Sequence, residues 1–197
     1  MLFASLLIPK FYLQAALRDR ALRQEDQSPG ESDFEKPAAL IDELDKKPVI
    51  LELNRAAESA DVVAGMTPSQ GLARCAELLV LPRALKQELV VQEILLEQAF
   101  TLSPYVEETA PGLCTVQFFD RRDRTNEISR VLKELCSCRI LASAGVAPGA
   151  DVSYLAAHRA QPLLVVDDTR EFLAPLPLEV LLRNFEDARS SSGAVVR

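Results

Sequence analysis

Two apolar stretches, far apart in the chain, constrain its fold more than any other feature. Residues 2–8 are almost continuously apolar, which is typical of a central strand covered on both faces. In residues 114–118 apolar and polar side chains alternate, as in a half-buried strand. We predict that these strands lie side by side, with Leu7, Gly112 and Leu113 at the mouth of any site that the sheet carries. None of these three residues is an acid, a base or a nucleophile.

The rest of the chain alternates between helical and strand patterns. Thr67 and Pro68 form a helix start, with Thr67 as N-cap and Pro68 at the first helical position, and we expect that helix to reach Leu78. Residues 79–82 look like an extended connector. Further helices are predicted over 12–23, 83–100, 125–135, 148–159 and 177–187. Single strands are predicted over 37–41, 48–53, 139–146 and 161–166, and a strand pair over 104–119 that is broken at Pro111 and Gly112.

This order of elements predicts an α+β fold, a split β-α-β-β-α-β (ferredoxin-like) sheet with both long helices on one face. The main body comprises 1–23 and 82–170, and 24–81 form a small mixed insert. Residues 171–197 begin a further segment that ends in a frayed tail. In the helix over 83–100 the apolar spacing of four and seven predicts that one stripe packs on the sheet. The stripe consists of Leu85, Leu89, Leu96 and Phe100.

Charge and hydropathy exclude several classes of protein. The net charge is −7, and residues 24–61 alone hold eleven acids and four bases. Strong, autonomous nucleic-acid binding normally needs a basic face, so this composition argues against it. No apolar run approaches the roughly 20 residues of a membrane span. Because Lys10 follows the first apolar run instead of preceding it, we expect no signal peptide and a cytoplasmic protein with no membrane contact.

Metal and catalytic motifs are weak throughout. Four cysteines and the single His158 lack zinc-site spacing, so small, reduced core thiols are expected. Asp167 and Asp168 follow an apolar run and suit a helix N-cap better than a metal pair. Residues 145–149 form a glycine-containing turn but lack the lysine and hydroxyl of a phosphate loop. From the residues alone, no active site is visible.

Seven segments, in their order and spacing, resemble the Y-family (UmuC/DinB-like) translesion DNA polymerases and most of all their degenerate ImuB-type paralogues. The segments are 8–15, 54–57, 62–66, 79–82, 102–107, 144–147 and 173–178. The resemblance implies a palm for the main body, fingers for the insert and the start of a thumb after about 170. The thumb's helix-hairpin-helix, the little finger and a clamp-binding tail are not expected in this sequence.

Active members of that family hold two magnesium ions with one acid on the first strand and an Asp-Glu pair in a hairpin. The resemblance places these positions on Leu7, Gly112 and Leu113, which cannot bind a metal. The triphosphate-binding Tyr and Arg fall on Arg55 and Glu58, and a family lysine falls on Ala150. Only Tyr12, at the steric-gate position, keeps its aromatic character. No metal and no cofactor are therefore expected.

The resemblance implies a non-catalytic adaptor in bacterial DNA-damage tolerance and induced mutagenesis, as part of the SOS response. Expected partners are an error-prone polymerase, an accessory RecA-like factor and the sliding clamp, the last through a region absent here, with weak or no DNA binding. Two alternatives stay open. One is an active translesion polymerase fragment that takes acids from Glu107 or Asp120, and the other is an unrelated enzyme built on Asp167 and Asp168.

Overall fold

The computed structural model describes residues 1–23, 36–43, 47–120 and 122–177. The chain divides into two compact units, Met1–Pro9 with Gln92–Arg197 and Lys10–Val91. The second unit begins earlier and ends later than the predicted insert of 24–81, because it includes the helix over 11–23 and the start of the helix over 85–100. All but the first residue of the predicted helix over 177–187, the predicted frayed tail and residues 24–35 of the predicted insert lie outside the described residues.

The described residues form eight strands and seven helices. The strands are β1 (Leu2–Leu7), β2 (Ala38–Ile41), β3 (Ile50–Leu53), β4 (Leu79–Pro82), β5 (Val106–Ala110), β6 (Leu113–Phe118), β7 (Ser143–Ala147) and β8 (Leu163–Val165). The helices are α1 (Phe11–Arg23), α2 (Arg55–Ser59), α3 (Pro68–Arg74), α4 (Leu85–Phe100), α5 (Thr125–Ser137), α6 (Ala150–Arg159) and α7 (Thr169–Leu173).

The first unit contains a five-stranded sheet with the order β5-β6-β1-β7-β8. β1 is antiparallel to both β6 and β7, and β8 runs parallel to β7 at one edge. The predicted pairing of the first strand with the strand at 114–118 is confirmed, with β6 beginning one residue earlier, and so is the central place of the first strand. Ala4, Ser5 and Leu6 are all fully buried, because both faces of β1 are covered. A near-continuous apolar run suits that position.

Helix α6 lies unusually close to the sheet at Gly145 of β7. A Cβ added there would lie 2.2 Å from the backbone nitrogen of Ala157 and 2.2 Å from the backbone oxygen of Ser153. The hydroxyls of Ser5 and Ser153 lie 2.8 Å apart and satisfy each other in this buried contact. Glycine at 145 is therefore needed for close helix-to-strand packing. The turn predicted over 145–149 does join a strand to a helix, but β7 continues to Ala147, so the turn itself is confined to residues 148–149.

The second unit contains a three-stranded sheet with the order β3-β2-β4. Residues 79–82, predicted to be a connector, instead form β4, which pairs in parallel with β2. The helix start at Thr67 is confirmed with a full capping box, in which Thr67 and Gln70 exchange side-chain and backbone hydrogen bonds. α3 ends at Arg74 and not at Leu78, because Cys75 already adopts an extended backbone.

Helix α4 forms as predicted, but its predicted buried stripe is wrong. Leu85, Leu89 and Phe100 are 55%, 72% and 55% exposed. The buried side chains of α4 are instead Glu88, Val91, Leu95 and Ala99. Apolar residues occupy more than one face of this helix, so periodicity identified the helix without determining which face packs.

Candidate functional site

Two of the three positions implied to be former metal ligands face each other across the central strand pair of the first unit. Leu7, the last residue of β1, is paired with Leu113, the first residue of β6. The backbone N–H of Ile8 donates to the carbonyl of Gly112 at 2.7 Å, so the third position adjoins them. The fold thus brings Leu7, Gly112 and Leu113 to one end of the sheet.

The β5–β6 turn at this end is held by a glutamine. The side-chain oxygen of Gln92 accepts a hydrogen bond from the Gly112 N–H at 2.7 Å. Gly112 has φ of 74°, a left-handed conformation that favours glycine over an aspartate. Among the described residues nothing pairs with the buried Nε2 of Gln92. Sequence analysis missed Gln92, since it carries no motif and only its contact with the turn reveals it.

Leu7, Gly112 and Leu113 offer no side-chain ligand to a divalent cation. Aliphatic side chains and glycine provide no side-chain oxygen, whereas magnesium requires oxygen ligands in near-octahedral geometry. Across 1–23, 36–43, 47–120 and 122–177, no group of three or more His, Cys, Asp or Glu residues is placed to hold a metal ion. The residues present at the rim therefore do not fit the two-metal centre that the resemblance places there.

In the second unit, Tyr12 is held beneath an arginine. The Arg83 guanidinium carbon lies 4.3 Å from the centroid of the Tyr12 ring, a cation–π contact. Arg83 also donates to both carboxylate oxygens of the buried Glu88, with Nε to Oε1 at 3.0 Å. That hydrogen bond raises the pKa of Arg83. Tyr12 therefore has a packing role in this chain. The sequence does not reveal Arg83 as its partner, because the two residues meet only in the folded unit.

Glu58 has a basic partner of its own. Its Oε1 lies 3.5 Å from Nζ of Lys10, and both side chains are about half exposed, at 51% and 50%. The nearby Glu52 accepts a hydrogen bond from the Leu13 N–H at 2.8 Å. Burial raises the pKa of the Glu52 carboxyl, and the Leu13 hydrogen bond and then the charge of Lys10 oppose that shift. Arg55, by contrast, is exposed as the first residue of α2.

Ala150 is the first residue of α6, directly after the N-cap Gly149. Its methyl group can neither donate a hydrogen bond nor carry charge, so this helix start lacks the amine expected of the family. No side chain caps α6 through a hydrogen bond.

Asp167 and Asp168 do not form a metal pair. The Asp168 carboxylate accepts hydrogen bonds from the backbone N–H groups of Arg170 at 2.8 Å and Glu171 at 3.1 Å, which makes it the N-cap of α7. Both aspartates are exposed. The predicted N-cap is confirmed. The alternative hypothesis of an unrelated enzyme required both acids to face a deep pocket, and a helix cap on the surface does not meet that requirement.

The acids proposed for an active polymerase do not converge either. Glu107 is exposed in the middle of β5, opposite Thr115 of β6. Asp120 lies beyond the end of β6, five residues along the chain from Thr115. It is bound there by Arg124 at 2.9 Å, and this hydrogen bond lowers the pKa of Asp120.

The cysteines form no disulfide. Cys114 is buried in β6, as expected for a core thiol, and burial raises its pKa to about 12. Cys136 contradicts the expectation, since it is exposed near the end of α5. The His158 ring packs edge-on against Tyr154 of the same helix, with centroids 4.7 Å apart.

The five-stranded sheet in one unit and the three-stranded sheet in the other together define the class of fold, which is that of the Y-family DNA polymerases. Among solved structures, the chain is similar to an insertion ternary complex of Dbh DNA polymerase, with TM-score 0.73 and 14% identity over 91% of this chain and 53% of that one. It is also similar to DinB from Sulfolobus solfataricus, with TM-score 0.72 and 16% identity over 95% of this chain and 57% of that one.

A Y-family polymerase chimera of Dbh and Dpo4 matches with TM-score 0.68 and 14% identity, over 91% of this chain and 53% of the chimera. The chain thus spans little more than half the length of these polymerases. No protein-family model and no curated protein sequence matches it. None of the helices in the described residues is both long enough and apolar enough to cross a membrane.

Proposed function

We propose that this chain is a non-catalytic, ImuB-type relative of the Y-family polymerases that assembles other replication or repair proteins in bacterial DNA-damage tolerance. The observation that carries the proposal is the pairing of Leu7 with Leu113 at the sheet end, where the resemblance calls for carboxylates. A metal-dependent polymerase requires oxygen ligands at that place. An aliphatic pair supplies packing and nothing that stabilises charge on a phosphate.

Electrostatics in the second unit support the same proposal. Where the resemblance calls for an arginine on the incoming triphosphate, Glu58 presents a carboxylate, and that carboxylate is paired with Lys10. A triphosphate brought to this place would be repelled by Glu58 and would compete with it for Lys10. The acidic composition of the whole chain, with net charge −7, also disfavours contacts with DNA phosphates.

Catalysis and metal binding are tested separately, because the chain spans only part of a polymerase. Primer extension is measured with Mg²⁺ or Mn²⁺, and Mn²⁺ binding is followed by electron paramagnetic resonance without DNA. We expect neither incorporation nor a bound Mn²⁺ signal. Template-dependent incorporation, or a Mn²⁺ ion bound at the sheet end, would overturn the proposal.

A graft tests whether the sheet end is a former metal site. In the variant carrying Leu7→Asp and Leu113→Glu, the two carboxylates start from Cβ atoms about 5 Å apart, which is the spacing of directly opposed strand residues. We expect this variant to gain Mn²⁺ binding. The matched control, Leu7→Asn with Leu113→Gln, has nearly the same shape without the charge and should gain none. Equal Mn²⁺ binding by the two folded variants would contradict the assignment.

The adaptor role is tested by affinity capture from cells with and without DNA damage, followed by mass spectrometry. The proposal expects an error-prone polymerase, an accessory RecA-like factor or both among the proteins enriched after damage. The sliding clamp is expected only with a longer chain. If no replication or repair protein is enriched under either condition, the adaptor role is wrong even when the chain proves inactive as a polymerase.

A further inference from the structure

The edge strand β5 and two aromatic residues beside it form a surface that we call the β5 edge surface. It comprises Val106, Glu107 and Glu108 of β5, the preceding Tyr105, and Phe119, which follows β6 and packs on the Tyr105 ring. β5 is an edge strand, and no strand in the described part of the chain pairs with its outer side. Tyr105 and Phe119 are 54% and 61% exposed, and both glutamates are exposed.

The two aromatic rings of this surface contact each other. They pack edge-to-face with centroids 4.7 Å apart and an interplanar angle of 79°. The backbone beneath them is braced by the buried Ser103, whose hydroxyl donates to the Gln117 carbonyl at 2.7 Å and accepts from the Tyr105 N–H at 3.2 Å. Rings that already contact each other, above a backbone held by hydrogen bonds, have less conformational entropy to lose on binding, which makes this exposed pair a suitable anchor site.

Backbone groups of β5 also face outward. The Gln117 N–H donates to the Tyr105 carbonyl at 2.9 Å, so residue 105 directs its carbonyl toward β6. In an antiparallel pair successive residues alternate in direction, which places the polar backbone of Glu107 toward β6 and that of Val106 and Glu108 outward. An added strand therefore has a short row of donors and acceptors to pair with.

Charge determines which kind of strand fits. Glu107 and Glu108 are adjacent, so their carboxylates lie on opposite faces of the sheet and flank an added strand on both sides. A second copy of this edge would bring four carboxylates together, which is repulsive. A segment with two adjacent basic residues can form an ion pair with each carboxylate. Two apolar residues that adjoin these basic residues would reach Val106 on one face and the Tyr105–Phe119 pair on the other.

We propose that the β5 edge surface binds an extended segment of a partner protein, in which two adjacent lysines or arginines adjoin two apolar residues. The segment adds to β5 as a strand, pairs its basic side chains with Glu107 and Glu108, and packs one apolar side chain on Tyr105 and Phe119. This inference deepens the adaptor role proposed above and rests on it for its biological meaning. Its physical test does not depend on polymerase activity.

Binding is measured with the 197-residue chain and a fluorescein-labelled, blocked peptide of the order threonine, lysine, lysine, valine, leucine, threonine. Fluorescence anisotropy should show saturable binding that weakens as salt is raised. The same peptide with glutamates in place of the lysines should not bind. Equal binding of the two peptides, or binding of neither, would refute the proposal.

Charge-reversal and side-chain truncation variants test whether the peptide binds at the β5 edge surface. Glu107→Lys with Glu108→Lys, and separately Tyr105→Ala, should each weaken peptide binding about tenfold or more. The matched control reverses two exposed acids of α4, Glu93→Lys with Glu97→Lys, and should bind the peptide as the unaltered chain does. Circular dichroism checks that every variant is folded. If the α4 control loses as much peptide affinity as the β5 charge-reversal variant, binding depends only on overall charge and the proposed site is wrong.

Amide hydrogen exchange distinguishes strand addition from simple attraction. When the lysine peptide binds, the amides of Val106 and Glu108 should become protected, whereas the amide of Glu107 is already slow in the free chain. If the peptide binds and these two amides exchange as fast as before, the added-strand geometry is wrong. Concentration-dependent dimerisation measured by sedimentation, with protection of the same amides, would identify a second copy as the occupant and also overturn the proposal.

Discussion

Replacing Gly145 with alanine should destabilise the chain more than any other single methyl group added to a described glycine. The new Cβ would lie 2.2 Å from two backbone atoms of α6 and 2.7 Å from a third, the carbonyl carbon of Ala156. Ordinary van der Waals contacts begin near 3.4 Å, so α6 must move about 1.2 Å away from β7. Backbone cannot rotate away as a flexible side chain does.

Moving α6 away from β7 also weakens two buried hydrogen bonds. It stretches the 2.8 Å contact between the hydroxyls of Ser5 and Ser153, and the 2.8 Å hydrogen bond from the Ser143 hydroxyl to the Ala157 carbonyl. Overpacking typically costs about 1–3 kcal/mol and each buried hydrogen bond about 1 kcal/mol. We therefore expect Gly145→Ala to lower the free energy of unfolding by about 3–5 kcal/mol, a large part of the stability of a typical domain.

Urea unfolding followed by circular dichroism measures this loss. Gly149→Ala is the control, because Gly149 lies at the start of the same helix and its nearest neighbour to a new Cβ, the Val152 Cγ2, is an ordinary 3.9 Å away. We expect the control to cost under about 1 kcal/mol, as for a modest loss at an N-cap. If both variants unfold at the same urea concentration, α6 does not pack on β7 as described.

Three further outcomes are expected. Thr67→Ala should lower the free energy of unfolding by about 1 kcal/mol, because the N-cap hydrogen bond of α3 is lost, and an unchanged urea midpoint would contradict this. At pH 8 iodoacetamide should label the exposed Cys136 first and Cys114 only after unfolding, because burial raises the Cys114 pKa to about 12. Peptide mapping that finds Cys114 modified in the folded chain would disprove this order of labelling. Since burial raises the Glu52 pKa above its ordinary 4.5, the folded state holds that proton more tightly. Stability should then fall as pH rises from about 4.5 through the raised pKa, and Glu52→Gln should remove this slope in urea titrations at several pH values.

Local patterns in the sequence determined the elements of this protein. The apolar run at 2–8 and the alternation at 114–118 were sufficient to predict two adjacent strands, because strand periodicity records which faces are covered. The caps at Thr67 and Asp168 were predictable for a similar reason, since capping depends on residues within one helical turn. The predicted strand pair placed Leu7 and Leu113 at one end of the sheet, where their pairing is observed, and the family resemblance added that these are the positions of metal ligands in active polymerases.

Contacts between distant residues were not predictable in this way. The stripe of Leu85, Leu89 and Phe100 shows a helical period, yet it faces solvent, because a period does not tell which apolar face meets the core. Residues 79–82 carry no strand alternation and become β4 only because β2 offers a parallel edge.

The same division applies to the sites. The sequence by itself determined that Leu7, Gly112 and Leu113 carry no side-chain oxygen for a metal, because residue identity alone decides whether such an oxygen is available. Only the tertiary structure decided that Gln92 holds the turn at Gly112, that Lys10 pairs with Glu58, and that two aromatic rings meet beside β5. Each of these is an interaction between residues far apart in the chain, and only folding brings them within contact distance.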